Sequence, residues 1–562
     1  MHAALTLGLA RNVLLASQAH EAVNNAAEAV LKLFAKAGDV PSIIRIGAEG
    51  VVSDRLLPFH VERVERLQKD RFRSEMRERL EAAALALGIA PEVAANLARI
   101  EMAVRPVAAR IAELEAGTED AARMASLRET VALQVEPLGL DPIVVSDAPG
   151  SEMMTIVVTE LLRRLPHAER PGADKVARFQ SVASLARDFV GSVSTEHRSF
   201  ETFLAGTRQI VAGTCVGLGR STLGLTSTPF DLVVVDEAAR CTASELAVPI
   251  QAGGWIVLVG DHEQLQPQHP GSVVEDVAGR MNVGEAEVAR SDFERVFGTD
   301  YGRSAGHTLT RQYRMLPPIG RLVSNAFYGG RLEHGRVDPV VNPAALPADL
   351  TKPLVWVDTV PLGRRGEQGT PNQRMSLSNV AEADAIVAML KGWSECEPFN
   401  HWLASQTTHA HAIGIICAYS AQRDLVRRKI ALAPISQTLR DALKVDTIDS
   451  YQGKENPIVI VSLVRNNTAG PWEEGKPTIR PGFLSRPNRI NVATSRAMDR
   501  LVLVGSRGRW AAGGPMSRIA TAFAEALDGG DAEVIGADVL LGRSTPVQAE
   551  GEAPLAELEM AR

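Results

Sequence analysis

The sequence lacks several features that most readily disclose a function. No Gly-x-x-x-x-Gly-Lys-Ser/Thr loop occurs in it, so the commonest backbone cradle for nucleotide phosphates is missing. Aromatic residues make up only 4%, which argues against aromatic stacking as the main grip on nucleic-acid bases. The four cysteines, Cys215, Cys241, Cys396 and Cys417, are scattered and include no Cys-x-x-Cys pair. That excludes a disulfide framework and a zinc ribbon, and it fits a reducing compartment. No apolar run reaches about 18 residues, so no membrane-spanning helix is expected. Residues 3–16 imitate a signal peptide, with Ala16-Ser17-Gln18-Ala19 in the place of a cleavage site. The run has no Lys/Arg n-region, however, and Arg11-Asn12 interrupts it, so a cytoplasmic protein is expected. The net charge of −7 gives no global attraction to nucleic acid and leaves room only for a local basic groove.

What is present is ordinary for a globular chain: 45% hydrophobic and 23% charged residues over 562 positions, enough for two or three domains with their own cores. Short continuous apolar runs end abruptly in polar residues at Val13–Ala16, Ile210–Ala212, Leu232–Val235, Ile256–Val259, Ile413–Cys417, Ile458–Val464 and Leu501–Val504. Strands buried on both faces of a parallel sheet have this pattern, so an α/β fold is expected. Loops at the carboxyl ends of such strands are where α/β proteins place their chemistry, and Asp236, Asp261 and Tyr419 sit there.

Residues 60–135 are rich in Glu, Arg, Ala and Leu. Phe72, Met76, Leu80 and Leu87, then Ile100, Val104, Val107, Ile111 and Leu114, recur at helical spacing. Two long helices turning near Gly88–Pro91 are expected as an antiparallel stalk, read as a solvated insertion rather than a nucleic-acid clamp. The expected layout is an α/β lobe of residues 1–50 and 205–310, interrupted by a mostly helical insertion at 51–204. A second lobe covers 311–510, and the tail, 511–562, is expected to be partly disordered beyond about residue 543.

The polar motifs follow the apolar runs in a set order. Asp236-Glu237-Ala238-Ala239, a DEAA box, comes after Leu232–Val235. A carboxylate at a strand end holds Mg²⁺ directly or through water, and its neighbour orients or deprotonates an attacking water. Gly260-Asp261-His262-Glu263-Gln264-Leu265-Gln266-Pro267 follows the next run. Its uncharged amide, Gln264, suits a γ-phosphate that must be sensed and then released. Gln312-Tyr313-Arg314-Met315 and Asn491 to Ala497 each present an arginine, Arg314 and Arg496. Guanidinium groups stabilise the charge that phosphoryl transfer builds on equatorial oxygens by about 10³–10⁵ in rate. In Thr447 to Glu455, the hydroxyls and Gly453 suit backbone-phosphate contact, and Glu455 suits a sugar hydroxyl or a coupling ion pair. Ser17 and Gln18 after the first run, and Thr214 within Val211–Cys215, are small polar groups at strand ends suited to a nucleic-acid phosphate.

Taken in order, with Ile413 to Gln422 between them, these motifs resemble the up-frameshift and senataxin-like branch of superfamily 1 helicases over roughly residues 11–50 and 205–510. The resemblance implies two RecA-like lobes, MgATP held between them, and 5′-to-3′ movement on single-stranded DNA or RNA. It makes Asp236 the Mg²⁺-side carboxylate and Glu237 the catalytic base. It makes Gln264 the γ-phosphate sensor, Arg314 and Arg496 the arginine fingers, and Glu455 the nucleotide contact of a Gln-Gly-x-Glu motif. Asp261, Gln312, Tyr313 and Gly453 join the nucleotide site. Ser17, Gln18, Thr214, Tyr419 and Thr447 join the nucleic-acid site, and the 60–135 helices are the place for a protein partner.

Three departures stand out. Arg240 stands where the branch has an uncharged polar residue such as Gln, and Asn24 where it has Asp. The third is the phosphate loop, which belongs just before the helix leading into Arg11–Ala16; residues 1–10 read as the remainder of that helix. Losing even three of the loop's charge-assisted hydrogen bonds costs about 4.5 kcal/mol, more than 10³-fold in affinity. The strand that precedes the loop is then missing too, which leaves a gap or an exposed edge in the first lobe. The expectation is a helicase inactive as this chain alone, with a non-hydrolysing nucleic-acid or protein binding module as the alternative.

Overall fold

The computed structural model describes residues 1–117, 121–195, 197–220, 229–369, 376–406, 411–451, 454–466, 482–511 and 513–542. By internal contacts the chain divides into one unit of Met1–Asp236 with Glu245–Val257 and another of Glu237–Ser244 with Leu258–Arg562.

In the first unit, the apolar run at Val13 forms strand β1 (Val13–Ser17), buried throughout. Its sheet also holds β2 (Ile43–Arg45), β3 (Ile210–Thr214), β4 (Phe230–Asp236) and β5 (Gly253–Leu258), in the order β2-β3-β1-β4-β5. β1 runs parallel to both β3 and β4. Helix His20–Lys36 follows β1 and buries Val23, Ala27, Val30 and Phe34, a stripe at helical spacing that packs with Val13, Leu15, Ile43 and Ile210. β2 has only three residues, too few to show a periodicity in the sequence.

β5 corrects one expectation. The apolar run Ile256–Val259 predicts a strand buried on both faces, yet Trp255 is 79% exposed, and Ile256 and Val257 are 40% and 45% exposed. The strand ends the sheet, and among the described residues no element lies beyond it. An edge strand of a parallel sheet is buried only where something covers it.

The residues between β2 and β3 are helical. Helix Val61–Leu87 ends at Gly88 in the left-handed conformation (φ 64°), and Pro91 opens helix Pro91–Arg99, so the chain turns where the sequence places the turn. The result is a bundle with its own core, including Leu80, Leu97, Ile100, Ile111, Met153 and Phe179, rather than a bare two-helix stalk. Where helices Arg105–Glu115 and Gly150–Arg164 meet, a Cβ on Gly150 would lie 2.4 Å from the Ala112 nitrogen and 2.7 Å from the Ala108 oxygen.

The second unit holds a short parallel pair, β6 (Arg311–Gln312) and β7 (Glu333–His334). Its main sheet comprises β8 (Leu354–Asp358), β9 (Ile413–Cys417), β10 (Leu443–Thr447), β11 (Asn456–Ser462), β12 (Ala497–Gly505) and β13 (Ala532–Gly536), in the order β10-β9-β11-β12-β8-β13. All its pairings are parallel. β9, β11 and β12 are buried end to end, as their apolar runs require, with one apolar cluster on each face of the sheet. The tail up to residue 542 packs onto this sheet. Helix Ser517–Asp528 buries Ile519 and Phe523, Phe523 meets Trp356 edge-on, and β13 extends the sheet beside β8. The expected disorder beyond 543 lies outside the described residues. Among the described residues no helix is long and apolar enough to cross a membrane.

The backbone contact at Gly150 leaves no room for a methyl group. Gly150→Ala is expected to lower stability by about 1–3 kcal/mol through overpacking, whereas Leu85→Ala, at a residue 82% exposed, is expected to stay within about 0.5 kcal/mol. Shifts of the urea unfolding midpoint check both.

Candidate nucleotide and nucleic-acid sites

In the first unit, Ser17 of β1 stands in register with Thr214 of β3 on one side and Asp236 of β4 on the other. Three residues far apart in sequence therefore share one level at the carboxyl ends of adjacent strands. Thr214 caps the short helix Cys215–Leu218, its Oγ1 accepting from the Gly217 N–H at 3.1 Å. Ser17 is fully buried and its Oγ has no hydrogen-bond partner among the described residues; Gln18 beside it is half-buried.

A neighbouring group carries no motif in the sequence. Arg45, at the end of β2, is fully buried. It donates to Asn24 Oδ1 at 2.9 Å and to the Ile46 carbonyl, and it lies 3.2 Å from His20 Nδ1. Burial pulls its guanidinium down to about 10. Asn24, the position that departs from the family's Asp, is thus the neutral partner of a buried cation. Nothing in a three-residue strand signals such a pairing.

In the second unit, Glu237 adopts φ 54°, ψ 35°, a left-handed conformation rare for a residue with a Cβ. Strain of this kind is of order 1–3 kcal/mol and concentrates at functional positions. The loop from Gly260 carries Asp261 and Gln264. Asp261 accepts from Gln264 Nε2 at 2.8 Å, from the Tyr328 hydroxyl at 2.6 Å and from the Glu263 N–H at 3.0 Å. Gln264 Oε1 in turn accepts from Arg496 Nη2 at 2.6 Å. A carboxylate, an amide and a guanidinium therefore form a continuous chain through residues predicted separately.

Arg496 is 2% exposed, and burial first, then the nearby Arg314 charge, pulls its guanidinium down to about 10. Its other bonds run to the Val492 and Lys454 carbonyls. Arg314 is more open. It pairs with Glu455 at 2.5 Å and reaches the Ser495 carbonyl at 3.4 Å. The ion-pair role offered for Glu455 is the one seen within this unit. Gln312 folds the motif around itself: Oε1 accepts from the Arg314 and Met315 N–H groups and Nε2 donates to the Met315 carbonyl. The Tyr313 ring is 65% exposed. Gly453 lies outside the described residues.

Helix Pro487–Thr494 locks the Gln264 loop. Asn488 donates to the His262 and Gln264 carbonyls at 2.7 and 2.8 Å, and Asn491 to the Glu263 carbonyl and Tyr328 hydroxyl, each at 2.8 Å. Neither Tyr328 nor Asn488 stands out in the sequence, since a lone tyrosine or asparagine carries no pattern. Burial and the Asp261 charge raise the Tyr328 hydroxyl far above its usual range, so it donates as a neutral phenol.

Tyr419 and Thr447, predicted to meet nucleic acid, end neighbouring strands. Thr447 Oγ1 donates to Ser450 Oγ at 3.2 Å. Tyr419 is 5% exposed, and its hydroxyl accepts from Arg465 Nε at 2.6 Å and from the Phe483 N–H at 3.2 Å. Below them lies a buried polar cluster in which Glu382 accepts from Ser462 Oγ at 2.6 Å and the Val464 N–H at 2.9 Å. Burial pushes the Glu382 carboxyl up to about 8.

Comparison with known proteins fits these motifs. Two family models, each described as an AAA domain, match residues 4–269 and 288–508. The ATP-dependent helicase NAM7 of Saccharomyces cerevisiae is 28% identical over 315 residues, which is 55% of this chain and 28% of that protein. The helicase SEN1 of the same organism is 26% identical over 314 residues, 55% of this chain and 13% of that protein. The structure of Arterivirus nonstructural protein 10, a helicase, overlays with a TM-score of 0.24 at 15% identity over 53% of this chain and 43% of that one, too low to bear on the fold. The chain belongs to the superfamily 1 helicases, in their up-frameshift and senataxin-like branch, a family of ATP-dependent helicases. It spans under a third of the length of these two relatives.

The Glu382 carboxyl predicts a pH dependence. In the folded chain it stays protonated up to about 8, whereas in the unfolded chain it ionises near pH 4.3. Unfolding between these values releases a proton, so stability falls as pH rises from about 4.3 to 8. Glu382→Gln, which mimics the neutral acid, is expected to raise the melting temperature more at pH 8 than at pH 5, as read by differential scanning calorimetry.

Proposed function

We propose that this chain carries most of the motor of an ATP-dependent helicase or translocase that moves 5′-to-3′ on single-stranded DNA or RNA. The proposed lobes are residues 1–50 with 205–310, and 311–510, with a helical insertion at 51–204 and a tail at 511–562. The observation that carries the reading is the Asp261–Gln264–Arg496 chain. Arg496 is buried with an amide, not a carboxylate, as its closest side-chain acceptor. Such a cation is poised for an incoming anion, and it fits the γ-phosphate of ATP. Asp236, at the end of β4, fits the Mg²⁺ side.

MgATP supplies the phosphoryl group whose transfer to water is the energy source. The chain's own residues do the rest. Glu237 holds the attacking water and takes its proton. Gln264 is held between Asp261 and Arg496, so exchanging Arg496 from amide to phosphate alters its orientation. That change passes to Asn488 and Asn491, which bind the same loop. Arg314 stabilises the developing charge, and its Glu455 partner ties it to the Thr447 segment. Gln18 and Thr447 face the nucleic-acid strand, with the buried Ser17, Thr214 and Tyr419 supporting that surface.

The residues described here fit the γ-phosphate but include no phosphate loop. The uncovered edge of β5, with Trp255, Ile256 and Val257 open to solvent, offers a place where a further strand bearing such a loop would pair.

ATP hydrolysis with and without single-stranded DNA or RNA tests the proposal, on this chain and on the chain extended by an apolar strand and a Gly-x-x-x-x-Gly-Lys-Thr loop. Strand-stimulated turnover is expected only in the extended protein. Glu237→Gln should lower it about 10²–10⁴-fold and Arg496→Ala about 10³–10⁵-fold. An extended protein that binds a strand tightly yet shows no turnover would favour the non-hydrolysing binding module instead.

A further inference from the structure

Phe483 is one of several exposed aromatic side chains of the second unit, beside Tyr301 and Tyr313. Phe483 is 42% exposed, and its position is built rather than incidental. Its N–H is held by the Tyr419 hydroxyl at 3.2 Å, and that hydroxyl is itself held by Arg465. Gly482, just before it, has φ 51°, and a Cβ there would lie 2.5 Å from the Tyr419 hydroxyl, so the backbone reaches this contact only through glycine. The Tyr419 ring meets Phe483 at 5.5 Å and 71°. On the other side, the Arg489 guanidinium lies 4.3 Å from the Phe483 ring centroid. Arg489 is also 3.5 Å from Asp449, in the segment that begins at Thr447.

Arginines lie close to this aromatic pair among the described residues. Among the described residues, Arg489 lies over the Phe483 ring and Arg465 lies 5.6 Å from the Tyr419 ring centroid, Arg486 three positions along the chain is exposed, and Asp449 is the acidic neighbour of Arg489. A ring held on a pedestal, backed by a guanidinium and flanked by cations, is suited to a planar base joined to a phosphate.

We propose that Phe483, backed by Arg489, is a base-stacking residue for single-stranded nucleic acid, with Arg465 and Arg486 drawing the flanking phosphates. The inference rests on the nucleic-acid reading above and deepens it. It adds one sequence-tolerant stacking contact to a chain whose low aromatic content argues against stacking as the main grip. Tyr419 then acts as a positioning residue: its hydroxyl sets the Phe483 backbone, and its own ring stays buried.

Fluorescence anisotropy of the full chain tests this with a labelled oligothymidylate and a polyabasic strand of equal length. Phe483→Ala should weaken oligothymidylate binding about 5- to 100-fold, leave polyabasic binding unchanged, and be rescued by Phe483→Trp. Equal loss on both strands would mean that Phe483 only supports the fold, and no loss on either would mean it meets no base. Each of these results overturns the proposal while leaving the nucleic-acid reading intact. Failure of the unsubstituted chain to bind either strand would overturn both.

Discussion

The second unit depends on a buried cation, Arg496, whose hydrogen-bond acceptors are neutral. Removing a guanidinium from water costs several kcal/mol unless its donors find acceptors. Arg496 finds them in an amide and in backbone carbonyls. That choice constrains its neighbours. Gln264 must turn its carbonyl to Arg496 and its amino group to Asp261, and Asp261 must then accept from Tyr328 as well. The loop carrying these groups is held by Asn488 and Asn491, on the helix that leads into Arg496. A carboxylate in place of Gln264 would bind the cation more tightly and hold it against exchange. An amide holds it loosely enough to be released to a stronger anion.

The parallel sheets explain why such groups meet. In a parallel sheet the carboxyl ends of all strands lie on one side, so every strand-to-helix loop opens there. In the first unit this brings Ser17, Thr214 and Asp236 to one level. In the second it gathers Tyr419, Thr447 and the residues after β11. The same geometry explains the buried Glu382. It sits in the first turn of helix Val380–Glu395 and binds the end of β11, where an acid can accept from Ser462 and Val464 but pays for burial by keeping its proton.

Much of the fold was legible in the sequence because buried parallel strands need uninterrupted apolar runs. β1, β9 and β11 follow such runs closely. Strands that are short or lie toward an edge were not legible: β2 is too short, β10 alternates Lys444 and Asp446 with apolar residues, and β13 carries Glu533 within the run. The failure at β5 had the opposite cause, an apolar run that reads as buried but lies uncovered at the sheet edge. Among site residues, Gln264, Arg314 and Arg496 stood out because motifs in series are improbable by chance. Tyr328, Arg45 and Phe483 did not, because a lone tyrosine, arginine or phenylalanine carries no pattern.

The sequence by itself therefore determined the α/β class, the motif order and the chemical type of each group, since these depend on residue identity and spacing along the chain. The tertiary structure alone decided which groups touch. Arg496 meets Gln264 across 232 positions of sequence, and Arg314 meets Glu455 across 141. Contacts over such distances are selected by sheet order and by the need to satisfy buried polar atoms, neither of which a local stretch of sequence encodes.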